Sequence, residues 1–401
     1  MIANILTFAL IVAIAPSALM ATSYAVQIPV KEKGSGPLYR IQRQGKWGYV
    51  NRQGAVVVPP RYEDANDFFC GLAKVQLQDL WGYISESGNF VIPAQFESAS
   101  DFKDGRAAVG AQGRVGVIDT NGHFVAKPQF DEVKPYFGNR AAVWTNAKSR
   151  QSGQVVWQDG GSWGFIDLSG QSIVKPQFDW VQNYSEGLAA VGVGGRRNQA
   201  GEVTTMDGCK WGFVDESGRT VIQPQFDQVE PFSNGAAKYW DERMKRFGLI
   251  DMKGRIVRSP EFKTVGNFVD GLALAMGDAG PAYIRPSGET AFDLEADEIH
   301  DFSGGLALVR DKGKSGFIDT AGKMAIEYRI GDARTFSEGL AAVEIEGLWG
   351  YVDRKGKVAI SARFSQAFQF VDGLALVELK GAWCYIDAAG VVVIRDVWDM
   401  N

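Results

Sequence analysis

Histidine is almost missing from this chain, at two residues, and cysteine is scarce, at three. So few ligands exclude most zinc sites, and an odd cysteine count in a chain of 401 residues excludes a disulfide-stapled fold. An excess of either charge is also missing. The 42 Lys and Arg against 47 Asp and Glu leave a formal net charge of -5, so bulk electrostatics draw the chain to neither nucleic acid nor anionic lipid. Long apolar runs are lacking except near the amino terminus, where no charged residue precedes Lys31 and Ile5 to Ile14 is mostly apolar. Ala15-Pro16-Ser17 and a small-residue stretch ending Ser23-Tyr24-Ala25 follow. This order predicts a signal peptide over residues 1–25, removed after Ala25 and exporting the chain to the periplasm or the exterior, though without the usual basic residue in front of the run. The alternative is an uncleaved anchor, the one route to membrane contact; Pro16 interrupts a run that is short for a ~20-residue span. Residues 26–37, with Lys31, Lys33, Gly34, Gly36 and Pro37, read as a linker.

Glycine and aromatics are what the chain has in plenty. Glycine numbers 48, well above a usual level of about 7%, and comes with 11 Trp, 12 Tyr and 24 Phe. These residues repeat. Gly45-Lys46-Trp47-Gly48-Tyr49-Val50-Asn51-Arg52-Gln53-Gly54 returns as Gly347-Leu348-Trp349-Gly350-Tyr351-Val352-Asp353-Arg354-Lys355-Gly356. The last glycine of the segment recurs at 54, 88, 122, 170, 218, 254, 288, 322, 356 and 390, with spacings of 34 except for 48, 48 and 36 between residues 122 and 254. The unit is therefore 34 residues, repeated ten times over residues 38–401, and two copies carry 14 extra residues each. An aromatic stands 14 residues after each of the first nine turn glycines, at Phe68, Phe102, Tyr136, Tyr184, Phe232, Phe268, Phe302, Phe336 and Phe370.

Each unit reads as three short strands, exemplified by Gly187-Leu188-Ala189-Ala190-Val191, by Trp163-Gly164-Phe165-Ile166-Asp167, and by Ser172-Ile173-Val174 ahead of Pro176-Gln177-Phe178. Period-2 alternation puts Trp163 and Phe165 on one face and Gly164 and Ile166 on the other, so both faces are covered. Asp167-Leu168-Ser169-Gly170 reads as a turn opened by an acceptor side chain and closed by a glycine. A second special backbone position precedes the first strand, at Gly71, Gly105, Gly187, Gly235, Gly271, Gly305, Gly339 and Gly373, with Asn139 in the third unit. Asn is the usual substitute for glycine in a left-handed conformation, which predicts positive φ at all of them.

Trp-Gly-[Phe/Tyr]-[Ile/Val]-Asp-x-x-Gly, then Pro-x-Phe, then Phe-x-x-Gly-Leu-Ala-x-Val, resembles the bacterial WG-repeat family over about nine-tenths of the chain. Six of the ten units keep the tryptophan, at Trp47, Trp81, Trp163, Trp211, Trp349 and Trp383. Val115, Phe247, Pro281 and Ser315 replace it elsewhere, and Ala282 and Cys384 replace the following glycine. The resemblance implies an all-β array of about ten tandem repeats of short antiparallel strands, used for binding and without shared catalytic apparatus. An open, curved solenoid is the favoured arrangement, because three strands per unit leave none over for closure; the alternative is a closed, propeller-like ring.

The recurrent Asp119, Asp167, Asp215, Asp251, Asp319, Asp353 and Asp387 invite a reading as catalytic or calcium-binding acids. Their turn position explains them better, since Asn51 and Ser85 fill the same place and share only the capacity to accept a hydrogen bond. Gly160-Gly161-Ser162-Trp163-Gly164 matches a nucleophile elbow in letters, but it enters a repeat strand. Gly313-Lys314-Ser315 lacks the earlier glycine of a phosphate loop, Leu308 standing there. Cys384 is expected to be buried and Cys209 accessible; a bridge from Cys70 to Cys384 would favour the ring.

The two insertions, within 144–162 and 192–209, both fall between the first and second of the three strands and so extend from one edge of the array. They carry the candidate binding residues Trp144, Lys148, Arg150 and Trp157, and Arg196 and Arg197, whose rings and guanidinium groups suit a sugar or a peptide. The expectation is an exported, non-enzymatic repeat protein that binds an envelope protein or glycan, with no cofactor, no metal and no nucleic-acid partner. An enzyme acting on envelope polymers and a structural spacer are the alternatives.

Overall fold

The computed structural model describes residues 38–394 apart from 52–54, 153–154, 201–202 and 372, so the expected signal and linker lie outside the described residues. All regular elements among the described residues are strands, and no helix is long and apolar enough to cross a membrane. The chain divides into two compact units at Gln177 and Phe178. Four successive sheets run up to this boundary, and six more, with a separate two-stranded hairpin, follow it.

Among the described residues eight of the ten repeat sheets have four strands, not three, while the first and the ninth have three. In the second sheet Asp64–Phe69, Leu72–Leu77, Leu80–Ser85 and Phe90–Phe96 lie side by side in chain order, every pair antiparallel. The strand missed from sequence contains the recurrent aromatic or ends just before it; in this sheet it contains Phe68. It is short, six residues here and two at Ser98–Ala99, and its alternation is interrupted by a register shift between Ala65 and Phe68. Too little periodicity remains there to be read as a strand. Four-stranded antiparallel meanders are the blades of β-propellers, so the four-stranded sheets have the form of propeller blades, the building unit of the second of the two expected arrangements. The argument for the open solenoid rested on three strands per unit, and that count does not hold.

Two classes of turn connect the strands. At the link between first and second strands, φ lies between 64° and 84° at Gly187, Asn139 and each of their seven equivalents, as expected. The preceding residue is also left-handed at Cys70, Asp104, Glu186, Asn234, Asp270 and Glu338, which makes a two-residue type I′ hairpin whose twist matches the strands. At the link between third and fourth strands the aspartate is a backbone acceptor: Ser169 and Gln171 N–H groups donate to Asp167 Oδ1 at 2.8 and 3.0 Å. The same pair of bonds forms at Asp119, Asp215, Asp251, Asp319, Asp353 and Asp387.

Hydrophobic layers sit between consecutive sheets. The ring two residues after the Trp position packs on the recurrent aromatic of the next sheet, Tyr83 on Phe102 and Phe213 on Phe232 at 4.7 Å, Tyr351 on Phe370 at 4.9 Å. All nine recurrent aromatics are buried. Burying each ring, at roughly 150 to 250 Å² and ~25 cal/mol/Å², contributes about 4 to 6 kcal/mol before entropy. The tryptophans are less uniform than expected of core residues: Trp163, Trp211 and Trp349 are buried, whereas Trp47, Trp81 and Trp383 are half-buried. Cations cover several of these rings, Arg40 over Trp47 at 5.4 Å and Lys74 over Trp81 at 4.5 Å.

Candidate functional site

Antiparallel order places the links between second and third strands at one edge of each sheet and the other links at the opposite edge. Both insertions are at the first of these edges, each within its own unit. In the fourth sheet the insertion lengthens the second and third strands to Arg140–Ser152 and Val155–Asp167, thirteen residues each against six in the second sheet. Arg150 and Trp157 are register partners, and Lys148 is opposite Asp159. Lys148 is exposed. Trp144 is 3% exposed and stacks on its partner Trp163 at 6.0 Å and 13°, so it belongs to the hairpin's buried base rather than to a binding surface. In the fifth sheet the insertion forms a separate hairpin, Arg196–Ala200 and Val203–Asp207, with Arg196 opposite Asp207 and Arg197 opposite Met206. The structure therefore pairs Arg150 with Trp157, sets Lys148 two register positions away, and puts Arg196 and Arg197 on a different hairpin.

Carboxylates hold the bases of these links. Gly194 and Gly195 N–H groups donate to Asp179 Oδ2 at 2.6 and 3.2 Å, and Ala147 N–H donates to Asp131 Oδ2 at 2.8 Å. Glu97 accepts from Gln112 and Gly113 in the same way. Cys209 lies under this base and is buried, not accessible; burial first and Asp179 second push its thiol up to about 11. Cys384 is buried and Cys70 exposed, and none of the three cysteines is in a disulfide, so no bridge joins Cys70 to Cys384.

The opposite edge is tied from sheet to sheet. Asn234 and Gly235 N–H groups donate to the two Glu186 oxygens of the preceding sheet at 2.7 and 2.8 Å. Gly305 donates to Asp270 Oδ2 at 2.6 Å, Gly373 to Glu338 Oε2 at 2.9 Å, and Asn139 to Asp104 Oδ2 at 3.3 Å. Ser185, Ser303 and Ser337 hydroxyls donate to Phe232, Phe336 and Phe370 carbonyls, each at 2.6 Å. Sequence reasoning missed both sets of acids. Their signal was recurrence: an acid follows the Pro-x-Phe position at Glu97, Asp131, Asp179 and Asp227, and precedes the turn glycine at Asp104, Glu186, Asp270 and Glu338.

Buried polar groups form a third feature. Asp101 accepts from Asn66 Nδ2 at 3.1 Å and burial raises its carboxyl above the usual range, Lys74 partly offsetting this. Lys238, buried in the second unit, pairs with Glu230 and donates to the Val265 carbonyl at 3.1 Å. The turn acids are different in kind: the Ser217 hydroxyl and adjoining amides hold the half-buried Asp215 carboxyl down to about 2. Such carboxylates are saturated by their own turn. The Gly160–Gly164 segment lies inside the strand Val155–Asp167, with φ of 70° and 75° at Gly160 and Gly161, and no helix follows it as an elbow requires. No group of three or more His, Cys, Asp or Glu able to hold a metal ion occurs among the described residues.

No curated protein matches the chain. Among solved structures it is similar to the extracellular domain of the hybrid two-component system BT3049 of B. thetaiotaomicron, at 11% identity and a TM-score of 0.23, over 88% of this chain and 61% of that one. It is similar also to the extracellular domain of the one-component system BT4673 of the same organism, at 8% identity and 0.24, over 89% and 56%. A third is Kluyveromyces lactis Hsv2, at 8% identity and 0.30, over 52% and 73%. The chain thus spans about 61% of the length of the first of these, and scores this low transfer neither shape nor activity. The family comparison is of another order: the WG containing repeat model matches residues 47–81, 81–110, 116–148, 163–196, 211–239, 247–276, 283–314, 316–349 and 349–383. With nine tandem matches running through most of its length, the chain belongs to the WG-repeat family.

Proposed function

We propose that the chain is an exported, non-enzymatic repeat protein that binds another envelope component, protein or glycan, through the edge carrying the two insertions. The observation that supports this reading is the contrast in hairpin length. Ordinary sheets close this edge with a tight turn such as Gln78 and Asp79, both left-handed, whereas the fourth and fifth sheets extend it. Residues that build a sheet need no such extension, and long loops on a rigid scaffold are where recognition concentrates. Lys148, Arg150 and Trp157 on the first hairpin, and Arg196 and Arg197 on the second, supply cations and a ring for a peptide or a sugar. Export is proposed from the apolar run at 5–14 and the small residues before position 26.

The test is capture from envelope fractions by the mature chain, beside a variant with both hairpins cut back to the 34-residue unit. A partner retained by the intact chain and lost by the shortened one is the expected result. Equal retention, or no partner for either, overturns the assignment to this edge. Turnover of an envelope polymer that a single acid replacement abolishes would make the protein an enzyme instead.

A further inference from the structure

The carboxylate ladder of the opposite edge is interrupted at turn positions such as Cys70, Asn234 and Gly304, and at Gly304 the interruption opens into a cleft. Wherever the first position of a type I′ turn is Asp104, Glu186, Asp270 or Glu338, its side chain takes an amide of the next sheet's turn. At Asn234 and Gly235 one carboxylate takes both successive amides, which shows what this backbone shape accepts. Two neighbouring N–H groups in left-handed turns form an anion-binding nest. In the eighth sheet the position is Gly304, which has no side chain to offer. The turn that follows, Glu338 and Gly339 with φ of 51° and 84°, has no acceptor for its two amides among the described residues.

This nest opens into a cleft bordered by Ser303, Gly304, Phe336, Glu338, Gly339 and Arg354. The Ser303 hydroxyl is committed to the Phe336 carbonyl, and the Glu338 carboxylate is turned to Gly373. Arg354 is exposed, has no hydrogen-bond or ion-pair partner among the described residues, and reaches over Gly305, where any side chain would meet its guanidinium. A side chain at Gly304 would meet nothing nearer than Phe336 Cβ at 4.0 Å, so the space where the neighbouring sheets put a carboxylate is open.

We propose that this cleft is a binding site for a carboxylate carried by a ligand, which takes the place that Asp270 and Glu338 fill at the adjoining turns. The Glu338 and Gly339 amides donate to it, and the Arg354 guanidinium supplies the counter-charge and a planar, two-pronged contact. The site is independent of the hairpin edge and stands whether or not that edge binds a partner. Acidic peptide side chains and uronic acids share the required group.

The test is a titration of the isotope-labelled full chain, following the backbone amide resonances of Glu338 and Gly339. The probes are N-acetyl-aspartate and glucuronate, with N-acetyl-asparagine and sodium chloride at matched ionic strength as controls. Saturable shifts at these two amides with at least one carboxylate, and not with either control, are expected; the probe that acts tells acidic peptide from uronic acid. Arg354→Gln should weaken the response about tenfold. Gly304→Asp places a carboxylate of the chain's own in the nest, as at Asp104 and Asp270 where φ is 50° and 53°, and should abolish the response while leaving the rest of the spectrum in place. Shifts that do not saturate, that chloride reproduces, or that survive in Gly304→Asp would overturn the proposal.

Discussion

The fifth and seventh sheets show how the repeat is made and which of its parts are separable. In the fifth, Trp211 is opposite Phe226 and Phe213 opposite Ile222, two residues on one strand against four on the other, so the fourth strand bulges around Pro224. That bulge brings backbone over Gly212, where a Cβ would lie 2.6 Å from Pro224 N. In the seventh, Ala282, Tyr283 and Ile284 pair with Asp293, Phe292 and Thr290, the fourth strand is only Thr290–Asp293, and no proline or bulge faces residue 282. Alanine is tolerated for that reason. Trp-Gly and Pro-x-Phe are therefore one device, a glycine that makes room and a bulge that uses it. The inter-sheet rings do not depend on it: Tyr283 remains fully buried against Phe302 at 4.9 Å.

The largest effect expected from this contrast is at the rings. Phe232→Ala, which removes the partner of Phe213, should cost about 3 to 5 kcal/mol in chemical unfolding, and Phe302→Ala as much despite the degenerate seventh sheet. A markedly smaller loss at Phe302 would break the claim that ring and bulge are separable. Next comes the bulge: Gly212→Val should cost about 3 kcal/mol through backbone overlap, and Ala282→Val about 1 kcal/mol or less, measured the same way. Gly187→Val should fall between, at about 1 to 2 kcal/mol, because φ is 80° but nothing lies within 4 Å of its Cβ. Gly304→Asp should raise the melting temperature by a few degrees, since it adds a charge-assisted bond to the next turn.

The smallest effects are in pH dependence, and two classes of acid oppose each other. Asp119, Asp167, Asp215 and Asp251 have lowered pKa values, with Asp215 down to about 2, so their contribution is complete above about pH 4 and lost as pH falls towards 2. Asp101 is raised by burial, so it weakens the fold once pH climbs through its raised value and ceases to do so when protonated. Asp101→Asn should therefore stabilise the chain at neutral pH and change nothing below about pH 3, whereas Asp215→Ala should destabilise at neutral pH and become neutral near pH 2.

Repeat length, turn chemistry and positive φ could be read directly from residues. A tight turn is local, and Asp167 or Asn139 states its requirement within four positions of chain. Nine buried aromatics were legible from spacing alone. The first strand of the four-stranded sheets was not legible, because Ser98–Ala99 and its equivalents are short and are held by pairing with the second strand rather than by a pattern of their own. The candidate residues divided in the same manner: Lys148 is exposed as a binding residue must be, whereas Trp144 is buried, since a tryptophan in an inserted hairpin reads alike in either place.

Ten units, their all-β character and their hydrogen-bonded turns were determined by sequence, because each depends on residues near one another along the chain. The fourth strand of most sheets, the reason for glycine after tryptophan, and the open nest at Glu338 and Gly339 were decided by tertiary structure. Each of these depends on what a strand or turn meets from residues ten to thirty-five positions away, and contact at that range is settled only when the sheets stack.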